Sequence, residues 1–289
     1  MTLAPAPPKS GPATSLKVAT YNVHGCVGRG GLKPERVADV IASLDCDVIG
    51  IQEIDVHRPR SGAIDQLTLI ARRLGYQAVF GPAWECDVNG AYGNAVLSRF
   101  PIVESCTHPL PEHSGRRCEP RSLMEVRVET PRGEITVWNT HLGVRGFERE
   151  AQGRALIDRA HEVLASDDAP LVLLGDLNAR PGAPFMRALG HVLSDSRRAS
   201  GARAPTYPAW WPILALDHIF VSSPLRVVDL RTDRTSLGAV ASDHLPLAAT
   251  VEWTASEVAH PPAHGKAAAG GPPPGADPAA PEQPSFTEE

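Results

Sequence analysis

The feature that most constrains this chain is a succession of about a dozen short apolar runs of β type, separated by turns and by only a few helical stretches. "LKVATYN", "DVIGIQE", "YQAVF", "GNAVLS", "PIVESC", "SLMEVRVE", "EITVWNTHL", "PLVLLGDLN", "LDHIFVS", "RVVDLRT" and "PLAATVEW" read as strands. Helical spacing is confined to three places. In "KPERVADVIASL", Pro34 stands at a helix start and Val37, Val40, Ile41 and Leu44 share one face. "DQLTLIARRLG" has Gly75 as its cap, and a third pattern runs from about Phe147 to Ala165. A chain with many strands and few helices must bury strand faces against one another. The expectation is an α/β class fold, two packed sheets flanked by helices.

The ends of those strands carry the chemistry. "VATYN" ends at Asn22, "VIGIQE" at Glu53, "ITVWNTH" at Asn139 and His141, and "LVLLGDLN" at Asp176 and Asn178. "LALDHIF" leads into Asp217, and "ASDHLPL" begins with Asp243 and His244. A single polar strand end is an ordinary turn, and Asp, Asn, Pro and Gly are turn residues. A whole series of them gathers groups suited to metal and phosphate. Glu53, with Asn22 and Asp243, offers hard oxygen ligands for Mg²⁺, with Mn²⁺ as substitute. His141 and His244 supply acid–base or phosphate-stabilising functions. Asp217 can orient the ring of His244, and Asn178 can donate to transition-state phosphoryl oxygens. Together these make a kit for metal-assisted attack of water on a phosphate ester.

The rest of the composition narrows the partners. The formal net charge is −5. From Ser256 onward five acids face only Lys266, which leaves −2 over residues 15–255. A nearly neutral body lacks the footprint of a strong duplex binder and allows only weak nucleic-acid contact. Five cysteines without a CxxC spacing fit a reducing compartment without structural zinc, and leave open a Cys106–Cys118 disulfide. No apolar run is long enough to span a membrane, and "MTLAPAPPKSGPATS" has no signal-peptide core, so the expectation is a cytoplasmic protein. Residues 1–14 and the Pro/Ala/Gly-rich 256–289 cannot offset their ordering entropy and are expected to be disordered, leaving a catalytic domain over 15–255. No obligate protein partner is evident.

The motifs "TYNVHG", "IQEID", "YGNAVLSR", "NTHLG", "GDLNARPG", "LDHIF" and "SDHLPL" resemble, in order, those of the endonuclease/exonuclease/phosphatase superfamily. That superfamily includes DNase I, bacterial sphingomyelinases, inositol polyphosphate 5-phosphatases and exonuclease III-type AP endonucleases. The resemblance covers about residues 16–252 and implies a four-layer sandwich of two mainly antiparallel sheets flanked by helices, DNase I-like, with one active site at a sheet edge. It implies Asn22 and Glu53 as the metal pair, His141 as a phosphate contact, and Asp176 and Asn178 as the pair that orients water and stabilises the transition state. It further implies Asp217 supporting His244, and Asp243 and His244 as the closing pair. Tyr92 and Asn94 fall where the family places phosphate-contacting groups. Arg121 in "CEPRSL" is a candidate phosphate fork, although DNase I-like enzymes carry Arg where this chain has Cys118. Either His244 or Asp176 can serve as the general base.

The "THL" in "WNTHLG" is shared with DNase I, sphingomyelinases and inositol phosphatases, and differs from the Tyr-x-Pro-Asn stretch of AP endonucleases. Three functions stand side by side: a divalent-metal phosphodiesterase, a phosphomonoesterase of inositol phosphates or nucleotides, and a dead scaffold, which the intact set of catalytic residues disfavours. Tyr207, Trp210, Trp211, Ile213 and Leu214 precede Asp217 and suit substrate or peripheral membrane contact. Stacking on nucleic-acid bases is their rival use. Charge favours a lipid-headgroup or other small phosphodiester over DNA or RNA. His24 and Arg29 stand near Asn22 at the rim, His108 and His113 read as solvated loop histidines, and Trp138 reads as core.

Overall fold

Alternation along the strands sorts the apolar side chains into two faces, and those faces assemble two sheets. The structure, a computed structural model, describes residues 15–86, 89–112, 118–167 and 169–254. The ends expected to be disordered, and His113, lie outside the described residues. The strands of the two large sheets are β1 (Ser15–Asn22), β2 (Val48–Val56), β3 (Gln77–Cys86), β4 (Gly90–Ser98), β5 (Ile102–Pro109), β6 (Ser122–Thr130), β7 (Gly133–His141), β8 (Leu171–Asp176), β9 (Ser194–Asp195), β10 (Asp217–Val221), β11 (Leu225–Thr232) and β12 (Leu247–Trp253). The helices used below are α1 (Pro34–Leu44), α2 (Gln66–Leu74), α3 (Gly146–Ser166), α4 (Pro184–Val192) and α5 (Ser196–Ser200).

One six-stranded sheet has the order β11-β12-β1-β2-β4-β3, the other β9-β10-β8-β7-β6-β5. Only β1 with β2 and β7 with β8 run parallel. Parallel neighbours need a crossover, and α1 and α3 supply the two. The inner faces meet through Val18, Val48, Val96, Val137, Leu174 and Ile219, all fully buried. The outer face of the first sheet packs under α1 and α2 through Ile49, Ile51, Val40, Ile41 and Ile70. That of the second packs under α3 and α4 through Trp138, Leu173, Leu156 and Leu189. The result is the four-layer sandwich that the resemblance implies. The helix starts follow their sequence signals: Pro34 opens α1, Asp65 caps α2 by accepting from the Thr68 N–H at 2.9 Å, and Gly75 ends α2 at φ 70°.

A β-bulge decides where Glu53 points. Along β2, Val48, Gly50 and Gln52 face inward, while Ile49 and Ile51 pack under the helices. Strict alternation would send Glu53 outward beside Ile51. The pairing with β4 shifts register between Ile51 and Ile54, and Glu53 takes φ 59°. The extra residue turns Glu53 to the inner face and returns Ile54 to the helix layer. Asn139, from the opposite sheet, braces the irregularity. Its amide nitrogen donates to the carbonyls of Ile51 (2.8 Å) and Ala95 (2.9 Å), and its oxygen accepts from Gln52 at 2.6 Å. Gly50 allows this approach, because a Cβ there would lie 2.8 Å from the Asn139 oxygen.

Several expectations are corrected. Asn139, a strand end expected to handle phosphate or metal, is a fully buried brace between the sheets. His108 is not in a loop: it lies on β5, half-buried, 3.8 Å from Glu125, and burial lowers its pKa. Cys106 and Cys118 are not joined by a disulfide. Between Asn178 and Asp217, where no element is expected, α4 and α5 form; Pro184 at the first helical position and buried Phe185, Met186 and Leu189 explain α4. Trp138 is core, as expected. No helix among the described residues is long and apolar enough to cross a membrane.

Candidate active site

The inward-facing rows of both sheets run out at one edge, and the polar residues stand there. Asn22 ends β1, His141 ends β7, Asp176 ends β8 and Asp217 begins β10. Register places Asp176 opposite His141 on one side and Asp217 on the other. Each of these positions continues an inward apolar row, so the same periodicity that builds the core aims these side chains at the seam between the sheets.

Asn22 joins the two sheets. Its amide nitrogen donates to Glu53 Oε1 at 2.8 Å and to Asp176 Oδ2 at 3.0 Å, while its oxygen accepts the His24 N–H at 3.0 Å. Burial by itself would raise the Glu53 carboxyl. Hydrogen bonds from His24 and Asn22 outweigh it and hold Glu53 well below the ordinary carboxylate range. His24 Nδ1 lies 3.6 Å from Glu53 and 3.7 Å from Asp243, and its pKa is raised, first by the bond to Glu53. The Glu53 and Asp243 side chains remain 22% and 43% exposed, which leaves their oxygens open to a ligand.

The two histidines of the edge are held in opposite states. His141 is fully buried, and burial, then the adjacent Arg121 guanidinium, push its pKa down to about 3. Arg121 Nη1 lies 2.8 Å from Nδ1. A guanidinium only donates, so Nδ1 accepts and the proton sits on Nε2. That N–H faces the Asn178 amide nitrogen at 3.0 Å and Asp176 Oδ2 at 3.6 Å. Asn178, at φ 50°, is fixed by its bond to the Leu142 carbonyl at 2.9 Å. Two donors thus converge where neither can satisfy the other, an arrangement suited to an anionic oxygen.

His244 is buried against carboxylates instead. Burial lowers its pKa, but the charges of Asp217 and Asp176 prevail and raise it to about 10. Nδ1 bonds Asp217 Oδ2 at 2.8 Å, and Nε2 lies 3.6 Å from Asp176 Oδ2. Asp217 is held low by this imidazolium against its own burial. Asp176 is raised, first by burial, with the charge of Asp217 adding and His244 opposing. One ligand atom each from Asp176, Asp217 and His244 lie within 4.8 Å of one another, a spacing that could hold a cation only if His244 gave up its proton.

The remaining expected residues divide. Tyr92 is buried beneath the Arg60 guanidinium, 5.1 Å from its ring; burial raises its hydroxyl strongly, the Glu53 charge adds, and Arg121 opposes. Arg121 belongs to the site, but its fork is engaged by His141 and by Glu119 at 2.9 Å. Asn94 is buried one step inward and donates to the Ser122 carbonyl at 3.1 Å. Arg29 donates its backbone N–H to the Val240 carbonyl at 2.9 Å. Trp210 and Trp211 stand exposed at a loop tip, 69% and 66%. Sequence reasoning missed Arg60, which a 3-10 turn brings over Tyr92, and His218, the fully buried neighbour of Asp217. His218 was visible in "LDHIF"; Arg60 carried no local signal. The Tyr207 ring also lies 4.8 Å from that of His244.

A model of the Endonuclease/Exonuclease/phosphatase family matches residues 19–244. The chain is 28% identical over 264 residues to the YbhP protein of Escherichia coli K12, covering 82% of this chain and 96% of that one. The solved endonuclease/exonuclease/phosphatase of Beutenbergia cavernae superposes with a TM-score of 0.71 at 27% identity, over 85% of this chain and 73% of that one. The human nocturnin catalytic domain with bound sulfate gives 0.65 at 24% identity, over 83% and 95%.

Proposed function

Because the chain belongs to the endonuclease/exonuclease/phosphatase family, and is therefore a metal-dependent phosphoric ester hydrolase, we propose that it is a phosphodiesterase acting on a lipid-headgroup or other small phosphodiester. The observation that carries the reading is Asp176 standing between a neutral and a charged histidine at the sheet edge. Asp176, made more basic by burial, takes the proton of the attacking water. His141 Nε2–H and Asn178 donate to the phosphoryl oxygens. His244, kept as imidazolium by Asp217, stabilises the charge that accumulates and is too firmly protonated to act as the base. Asp176 is thus the better of the two candidate bases.

The ligand atoms around Glu53 fit a hard cation: Glu53 is held charged, Asp243 is exposed, and no thiolate is present. Glu53, with Asn22 and Asp243, would hold Mg²⁺, and Mn²⁺ as substitute. The ion would supply Lewis-acid stabilisation of the phosphoryl group. EDTA should abolish hydrolysis of bis-p-nitrophenyl phosphate and Mg²⁺ should restore it. Glu53→Gln should raise the Mg²⁺ concentration needed. Full turnover in metal-free protein, or a strong preference for p-nitrophenyl phosphate over the diester, would contradict the proposal.

The lipid preference rests on the loop before Asp217. Tyr207 and Leu214 exchange backbone hydrogen bonds at 3.0 and 2.8 Å, closing a hairpin whose tip exposes Trp210, Trp211 and Ile213. Its base is bonded to the catalytic segment, Ala209 N–H to Asp243 O at 2.7 Å and Leu245 N–H to Thr206 O at 2.8 Å. Exposed aromatics clustered beside a site suit a membrane interface, and weak nucleic-acid contact is their rival use. Replacing Trp210 and Trp211 by Ala should reduce hydrolysis on phospholipid vesicles and spare a soluble diester. Efficient plasmid cleavage by the parent with no action on lipid would make it a nuclease.

A further inference from the structure

The exposed face beside the catalytic loop holds a groove of about 1180 Å³ that the chemistry above leaves unused. Six arginines line it: Arg180, Arg187, Arg197, Arg198, Arg203 and Arg234. The single carboxylate among the lining residues, Asp195, is spent on the Arg197 N–H at 2.8 Å. The groove is therefore strongly cationic in a chain whose net charge is −5.

The arginines fall into two kinds, and Arg187, which donates to the Gly182 carbonyl, belongs with the engaged ones. Arg197 is buried and structural: its guanidinium reaches His218 Nδ1 at 3.2 Å, Ala204 O at 2.8 Å and Arg203 O at 3.2 Å. His218 Nε2 in turn meets Ala179 O at 2.8 Å. The groove floor is thus bonded to the residue after Asn178. By contrast Arg180, Arg198, Arg203 and Arg234 are exposed, and their guanidiniums have no partner among the described residues. Four like charges held around one concavity repel one another unless an anion joins them. The groove also has a direction. Arg180 follows Asn178 by two residues at one end, and Ile213 and Leu214 of the aromatic hairpin form part of its wall.

We infer that this groove is a second anion subsite, which holds a further phosphate group of the substrate while its scissile diester lies at Asp176. The inference rests on the phosphodiesterase reading for the scissile group, and names the substrate class as diesters that carry an additional phosphate. Guanidiniums bind phosphate through paired, charge-assisted hydrogen bonds, which suits a phosphate-bearing ligand over a neutral one. Local charge, rather than net charge, then selects the substrate.

The test uses the full chain and the variant Arg198→Ala/Arg203→Ala/Arg234→Ala. These residues make no side-chain contact that folding would lose. Glycerophosphoinositol and its 4-phosphate form the soluble pair; phosphatidylinositol and its 4-phosphate in phosphatidylcholine vesicles form the lipid pair. The parent should prefer the phosphorylated member, and the variant should lose about tenfold or more in kcat/KM on that member alone, the scale of lost charge-assisted contacts. Selectivity on the soluble pair places the phosphate on a free headgroup, and selectivity only on vesicles places it on a lipid. Calorimetric binding of inorganic pyrophosphate in EDTA is the readout without turnover. The parent should bind it, more weakly as salt rises, and the variant should lose about tenfold in affinity. If the parent hydrolyses neither pair but cleaves bis-p-nitrophenyl phosphate, the phosphodiesterase reading stands and the substrate class named here is overturned; if it cleaves no diester, that reading fails and pyrophosphate binding alone decides the groove. Equal losses on both members of a pair, or pyrophosphate binding unchanged in the variant, would overturn the subsite.

Discussion

The two histidine corners of the sheet edge start from the same side chain and end in opposite states. At the His141 corner the neighbours are Arg121 and Asn178, both donors, and the ring is neutral. At the His244 corner the neighbours are Asp217 and Asp176, and the ring is charged. Both rings are buried, so desolvation pushes both the same way. The sign of the nearest charge decides the outcome. Asp176 touches both corners, and its environment is the sum of the two. The comparison teaches that this site is built by pairing buried groups of chosen charge across strand ends, rather than by the residue types alone.

Removing either corner should break the comparison most severely. His141→Ala, His244→Ala and Asp176→Asn should each lower turnover by about two orders of magnitude or more, the scale of acid–base groups, with Asn178→Ala costing less. Steady-state kinetics on a soluble diester at saturating Mg²⁺ checks this; a variant with near-normal turnover would remove its residue from the mechanism.

Exchanging the charge at one corner should be gentler and more informative. Arg121→Met removes the cation that adds to burial in depressing His141, so the His141 pKa followed by imidazole NMR titration should rise. Asp217→Asn removes the charge that raises His244, so the basic limb of the kcat profile should move to lower pH. A titration or a limb that does not move would mean that these neighbours do not set the protonation states.

Stability should also respond at both ends of the pH scale. The folded pKa of His244 lies above its unfolded value near 6.5, so its stabilisation is complete below that value and is lost as pH rises towards about 10. The folded pKa of His141 lies below its unfolded value. The unfolded chain therefore binds the extra proton, and stability is lost as pH falls from about 6.5 towards about 3. The melting-temperature difference between parent and His244→Gln should narrow from neutral to alkaline pH, and that for His141→Gln should narrow from neutral to acid pH. The smallest effect should come from deleting residues 257–289, which the sequence expects to be disordered: turnover and melting temperature should stay essentially unchanged.

Much of the fold was legible because periodicity is a local property. The strand runs, Pro34, Gly75 and the alternating inner rows are all written in neighbouring residues. The site was legible as a set of strand ends, because Asn22, His141, Asp176 and Asp217 stand at those ends and His244 shortly before β12, whereas Glu53, expected to end its strand, stands at a bulge inside β2, which runs on to Val56. What was not legible depends on pairings distant in sequence. Asn139 and His141 share a face and a strand, yet only the bulge in β2 makes Asn139 a brace and leaves His141 at the edge. Glu53 reaches the inner face only because the register slips, which alternation by itself argues against. Arg121 as partner of His141, and the arginine groove, arise when segments far apart fold together; net charge averaged the groove away.

The central claim is that one edge holds two buried histidines in opposite protonation states. Nitrogen-15 NMR of the imidazoles in the full-length, Mg²⁺-loaded protein at about pH 7.5 tests it directly, since an unperturbed histidine is then largely neutral. The account predicts His244 protonated on both nitrogens, and His141 neutral with its proton on Nε2. A neutral His244, or a proton on His141 Nδ1, would contradict it.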